Sequence, residues 1–171
     1  MPLVITLGLL SVLFVTLRPL RIGIKQPFAA FASKAFASMF YCLAGIAAAA
    51  QRERLNWQAA ALLFGFCLAA VGDILLAIEP VLEQSKRDRN YAFAAGAAPM
   101  TLCFVIDIAV FLSLYWQLPW PLVVSAVALF VCSGVMLLVL KRNRFSEKFT
   151  WLVYFPYYLA QALMACLVAI L

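Results

Sequence analysis

Asp73 is the residue of this sequence most suited to a chemical role, because it is an acid within the long apolar run at positions 64–78. A carboxylate at the centre of a membrane-spanning helix costs roughly 2.5–3.5 kcal/mol on insertion scales. Such a group is kept where it has a partner, a cavity or a chemical task. The preceding Gly72 has no side chain, so another helix or a ligand can approach the backbone there. These two residues indicate a functional site.

Lys34 is the expected partner of Asp73, because the two residues lie at similar depths in neighbouring antiparallel helices. Lys34 comes seven residues after Pro27 at the start of its helix, or about 10 Å along the axis. Asp73 comes six residues before Glu79 at the end of the next helix, or about 9 Å. The depths predict an Asp73–Lys34 pair. Asp107 lies deeper in its own helix, near the other face of the membrane, and is expected to reach water there.

The last helix is predicted to bring a polar face to the same depth. Its members follow the spacing i, i+3, i+4, i+7, which is one side of a helix; they are Tyr154, Tyr157, Tyr158 and Gln161. Together with Asp73 and Lys34, this face predicts a polar cluster that opens toward the cytoplasmic leaflet. No other candidate site can be assembled from the sequence.

Structural interpretations of the same residues stay open. Asp73 and Lys34 could form an ion pair whose only role is to lock two helices together. The tyrosines could serve in packing and in anchoring at the membrane interface. Ser33 and Ser38 flank Lys34 and are predicted to be ordinary helix-packing residues.

The composition identifies the class of protein that holds these residues. The chain of 171 residues is 67% hydrophobic with a mean hydropathy of +1.04, and 12% of it is charged, against about 25% in soluble domains. The net charge of +6 is clustered between apolar segments, so it reports membrane orientation and not nucleic-acid binding. The absence of histidine excludes Ser-His-Asp and Cys-His catalysis and the usual zinc sites. No cofactor and no metal are expected, and the five scattered cysteines indicate no disulfide framework.

Six apolar segments of about the length that spans a bilayer position the candidate site. They lie at approximately 2–17, 27–50, 58–78, 91–114, 119–140 and 150–171, which predicts an all-α polytopic bundle in a single transmembrane domain. The first segment has no basic region before it and is interpreted as a retained helix. The odd-numbered connections carry ten Lys and Arg residues and the even-numbered ones two. The positive-inside rule then places both termini outside. A bacterial inner membrane is the expected location.

Four segments carry a resemblance to a known family. They are the run from Lys34 to Phe36, the helix Gly65–Leu76 with its Gly-Asp pair, the Phe-x-x-Gly at 93–96, and the stretch from Tyr157 to Met164. In this order they resemble the YhhN/lysoplasmalogenase-like family of integral membrane proteins. Ala35 stands where the family has proline, and Leu102 where it has histidine. The chain stops after six of the usual eight helices, without the Ser-Asp motif of the seventh.

The resemblance implies hydrolysis of the vinyl ether bond of lysoplasmalogens to a fatty aldehyde and a glycerophospho-base. In that chemistry Asp73 would donate the proton, and Lys34 would hold the phosphate or tune Asp73. Tyr154, Tyr157, Tyr158, Gln161 and the backbone at Gly72 would position the lysophospholipid, and the family's second carboxylate, which activates water, has no counterpart. The alternatives are a non-catalytic lipid- or small-molecule-binding bundle and a small transporter that uses Asp73 and Lys34 for protons or ions. Homo-oligomerisation is left open.

Overall fold

A computed structural model describes residues 1–16, 27–78, 86–113, 120–143 and 151–171, and all regular structure in these ranges is helical. The six helices are α1 (Pro2–Thr16), α2 (Pro27–Ala50), α3 (Trp57–Ile78), α4 (Lys86–Ser113), α5 (Trp120–Asn143) and α6 (Trp151–Ile170). Four of them contain apolar stretches long enough to cross a membrane: Phe31–Ala50, Trp57–Ile78, Tyr91–Ser113 and Leu152–Ile170. The prediction of an all-α membrane-type bundle is confirmed at this level.

The helix bounds differ most from the predicted ones where charged residues adjoin an apolar run. Helix α4 begins at Lys86, five residues before the predicted start at position 91, and α5 continues to Asn143. Lysine and arginine are good helix formers, so a helix can continue past its apolar stretch. The predicted connections at 18–26 and 115–118, most of those at 79–90 and 141–149, and the predicted helix residues 17, 114, 119 and 150 lie outside the described residues.

Side chains of the short connection between α2 and α3 hold three chain segments together at one end of the bundle. Asn56 caps α3 by accepting a hydrogen bond from the Ala59 N–H at 2.8 Å, and its amide donates to the Leu171 carbonyl at 3.1 Å. The Arg52 guanidinium donates to the Val168 carbonyl at 3.1 Å. Both donors satisfy carbonyl groups at the end of α6 that no longer have a helical partner. The nitrogen of Met1 bonds to the Gln51 side chain at this end as well.

Helices α1, α2 and α6 pack against one another at the centre, with α3 against α2, α4 against α3, and α5 against α6. Small residues bring the central helices close, as is usual inside membranes. The Ser11 hydroxyl donates to the Ala37 carbonyl at 2.8 Å, and a Cβ placed on Gly8 would lie 3.0 Å from that of Ala162. Helix α2 packs against both α3 and α6, and the candidate site lies where side chains of these three helices meet.

Candidate functional site

Asp73 and Lys34 form a buried ion pair, as their equal depths predicted. The Lys34 Nζ lies 3.3 Å from the Asp73 Oδ1, and the two side chains are 4% and 1% exposed. Helix α2 supplies the cation and α3 the carboxylate, so the pair joins two antiparallel neighbours. The attraction within a buried ion pair offsets the cost of removing both charges from water only where further hydrogen bonds satisfy the remaining oxygens and hydrogens.

The second oxygen of Asp73 has those further bonds. Its Oδ2 accepts from the Ser38 hydroxyl at 2.8 Å, the Tyr158 hydroxyl at 3.1 Å and the Tyr41 hydroxyl at 3.3 Å. Every one of these side chains is buried. We refer to Lys34, Ser38, Tyr41, Asp73 and Tyr158 as the Asp73 cluster. Its carboxylate, on α3, is compensated by one cation and two hydroxyl donors from α2 and by a third hydroxyl donor from α6.

Sequence reasoning missed two members of the cluster. Ser38 was expected to be a packing residue, which is wrong because its hydroxyl makes the shortest bond to Asp73. Tyr41 was not selected at all. The signal was available in the spacing of Lys34, Ser38 and Tyr41, which is i, i+4, i+7 and places all three on one face of α2.

The predicted polar face of α6 exists but divides into two parts. Tyr158 bonds to Asp73, and the Lys34 Nζ lies 4.9 Å from the centre of the Tyr154 ring, within the range of a cation–π contact. Tyr157 and Gln161 are buried and make no bond to Asp73. Both polar atoms of Gln161 and the Tyr157 hydroxyl have no hydrogen-bond partner in the described part of the chain.

The space beside Gly72 is filled by helix α4. A Cβ at this position would collide with the side chain of Met100 and lie 2.8 Å from the Gly96 carbonyl oxygen, both on α4. Of the two interpretations of Gly72, the approach of another helix is the one that the geometry shows. We therefore leave Gly72 out of the candidate site.

Asp107 lies away from the cluster, as predicted, but its expected exposure is wrong. The residue is 3% exposed, and its Oδ2 accepts from the Cys103 thiol at 3.7 Å. Its Oδ1 lies 3.4 Å from where a Cβ on Gly65 would be, so the missing side chain of that glycine makes room for it between α3 and α4. Among the described residues, no cation forms an ion pair with it. The prediction that Asp107 lies apart from Asp73 and Lys34 is therefore confirmed, whereas the prediction that its side chain points toward water is wrong.

The environments of the two buried acids predict opposite responses to the same substitution. We expect Asp107→Asn to leave the free energy of unfolding unchanged or to raise it by up to about 1 kcal/mol, because it removes an acid that has no counter-charge. Asp73→Asn should lower it instead, because it leaves Lys34 buried without its partner. Unfolding both variants in detergent micelles by titration with sodium dodecyl sulfate measures the difference. A loss for Asp107→Asn as large as that for Asp73→Asn would contradict this account.

The cluster offers one cation, one carboxylate and three hydroxyl groups in an apolar interior, which suits an anionic or hydroxylated ligand and proton transfer. Within the described ranges, no group of three or more Cys, Asp or Glu side chains is placed to hold a metal ion. Comparisons with models of known protein families, with curated proteins and with solved structures gave no match. Any assignment of activity therefore depends on the chemistry of the cluster itself.

Proposed function

We propose that this chain is a six-span protein of a bacterial inner membrane, similar to the lysoplasmalogenases, that hydrolyses the vinyl ether bond of a single-chain phospholipid. The observation that carries the proposal is the buried Asp73 carboxylate with a cation and three hydroxyl groups around it. In the proposed topology both termini face out. The hydrogen bonds that join Met1, the connection at 51–56 and Leu171 at one end of the bundle support the part of this topology that places both termini on the same side.

Lys34 has a different partner in each state of the proposed reaction. In the resting protein it pairs with Asp73. When the lipid binds, its phosphate replaces Asp73 as the ion-pair partner of Lys34. Asp73 is then left in an apolar interior without a counter-charge. A carboxyl group without a counter-charge in such surroundings favours the neutral, protonated form. Asp73 then takes up a proton from water and becomes the proton donor, which reconciles the two roles that Lys34 was expected to have. Because the side chains of Lys34 and Asp73 are 4% and 1% exposed and Tyr158 is fully buried, binding requires helices to separate.

One carboxyl group is sufficient for the proposed reaction. Protonated Asp73 gives its proton to the β-carbon of the vinyl ether, and the α-carbon becomes part of an oxocarbenium ion. Water then adds to the α-carbon and gives a proton back to the Asp73 carboxylate, which forms a hemiacetal. The hemiacetal breaks down to the fatty aldehyde and the free hydroxyl of the glycerophospho-base. The same residue serves as acid and then as base.

A non-catalytic lipid-binding bundle is the second candidate, and one observation favours it. Both oxygens of Asp73 already bond to side chains of the Asp73 cluster, and this cluster contains no second carboxylate that could activate water. The ion pair would then be a fixed feature of the scaffold, and Lys34 would stay with Asp73 when a lipid binds elsewhere on the apolar surface.

The test is release of fatty aldehyde from a vinyl-ether lysophospholipid by the purified protein in detergent. We expect activity in the wild type and a loss of at least about a hundredfold in Asp73→Asn, the usual scale for removing a general acid. Lys34→Gln should also lose activity, through a raised KM. Asp107→Asn is the matched control and should keep the wild-type rate.

The outcomes separate the two candidates. Activity that persists in Asp73→Asn would exclude this residue as the acid. No activity in a folded wild-type protein that still binds the lipid would favour the non-catalytic bundle.

A further inference from the structure

Gln161 is an unusual residue in the described core, because a buried amide makes no hydrogen bond. The residue is 1% exposed, and neither its Oε1 nor its Nε2 has a partner among the described residues. Burying an unpaired polar group typically costs about 1–3 kcal/mol, and such groups are rare in folded proteins. A methionine would fill a similar volume without that cost. Packing alone therefore gives no reason for glutamine at this position.

The surroundings of Gln161 define what could pair with it. Tyr157 lies one turn before it on the same face of α6, and its hydroxyl is also buried without a hydrogen-bond partner in the described chain. Tyr158, which bonds to Asp73, lies three residues before Gln161, or about 4.5 Å along the axis. Tyr157 therefore lies beside the Asp73 cluster and Gln161 about one helical turn beyond it along α6, so an elongated ligand could reach both the cluster and the unpaired groups.

The chemistry of the unpaired groups selects the ligand group. An amide presents a donor and an acceptor, and a phenol hydroxyl can do either. A phosphate or carboxylate could accept hydrogen bonds from the amide nitrogen and the phenol, but it has no hydrogen to donate to the amide oxygen. An alkyl chain would leave all three atoms unpaired. A neutral hydroxyl group donates and accepts at once, so it can satisfy Gln161 and Tyr157 together.

We propose that Gln161 and Tyr157 form a hydroxyl-recognition subsite that takes the free glycerol hydroxyl of a single-chain phospholipid. This inference rests on the proposed function, because it requires the phosphate of that lipid at Lys34. It deepens the function by explaining selection: a lipid with a second acyl chain has no free glycerol hydroxyl to offer to the subsite. Ordered water is the other source of the same chemistry, and the experiment below distinguishes the two.

Binding is measured with a 1-O-alkyl lysophospholipid, which lacks the vinyl ether and is not cleaved, and with its 2-deoxy counterpart. We expect the wild type to bind the hydroxylated lipid at least about tenfold more tightly, because a site built to bond a hydroxyl rejects the analogue without it. In Gln161→Met and Tyr157→Phe the ratio should fall to within about twofold. Gln161→Met without ligand should raise the Tm by about 2–4 °C, since it removes an unpaired amide. Gln58→Met on α3, where the glutamine is half-buried, is the matched control and should change neither quantity.

Equal affinities of the wild type for the two lipids would overturn the inference, because water alone would then satisfy Gln161. A lowered Tm in Gln161→Met would also overturn it, since the amide would have a structural role. A hydroxyl preference without aldehyde release would support the subsite and remove only the proposed hydrolysis. If neither lipid binds, the inference and the proposed function fail together.

Discussion

Replacing Lys34 by methionine is expected to lower the free energy of unfolding by about 3–5 kcal/mol, the usual cost of breaking a buried ion pair from one side. The methionine fills much of the lysine volume, but the Asp73 Oδ1 then loses the cation that lies 3.3 Å away. Asp73→Asn should cost a similar amount, because it leaves the ammonium group buried and unpaired. The measurement is reversible unfolding in mixed micelles, followed by tryptophan fluorescence.

The double variant Lys34→Met/Asp73→Asn isolates the pair. No charge remains in it, and the asparagine oxygen can still accept from Ser38 and Tyr158, so its loss should be smaller than the sum of the single losses by at least about 2 kcal/mol. Additive losses would mean that the two groups act independently, and the ion pair would then contribute nothing. Asp107→Asn, the same substitution in an acid without a cation, controls for a general effect of removing buried charge.

The ion pair could be predicted because depth along a helix is readable from sequence. Lys34 and Asp73 are interruptions in apolar runs, and the number of residues between each of them and its helix end fixes its position across the bilayer. The same count separated Asp107 from the pair. The spacing of Tyr154, Tyr157, Tyr158 and Gln161 likewise identified one face of α6 without knowledge of any other helix.

The rotation of each helix could not be predicted, because the surroundings of a membrane protein are as apolar as its interior. In α3, Ala69 is 1% exposed and Val71 is 50% exposed, although both are apolar. A hydrophobic pattern therefore does not distinguish the face toward the bundle from the face toward lipid. This is why the direction of Asp107 was wrong and why the contact of Gly72 with α4 was not distinguished from an approach by a ligand.

Adding a single methyl group at Gly72 is expected to lower the free energy of unfolding by about 2 kcal/mol, although alanine is the better helix former. Overpacking a tight interface costs about 1–3 kcal/mol, occasionally more, and the gain in helix propensity is only about 0.5–1 kcal/mol. The new Cβ would lie 2.8 Å from the backbone oxygen of Gly96, so α3 and α4 have to move apart. Unfolding in mixed micelles measures the loss.

Two further variants test whether this loss comes from the helix contact. Gly134 on α5 has nothing within 4 Å of its Cβ position, so Gly134→Ala should be neutral or stabilising by up to about 1 kcal/mol. Gly96→Ala should be destabilising, because its Cβ would lie 2.9 Å from the Leu76 nitrogen and 3.0 Å from the Gly72 oxygen. Once one methyl group has separated the helices the second finds more room, so the double variant Gly72→Ala/Gly96→Ala should lose less than the sum. If Gly72→Ala instead stabilises the protein as Gly134→Ala does, α4 does not press on Gly72, and that glycine returns to the residues available to a ligand.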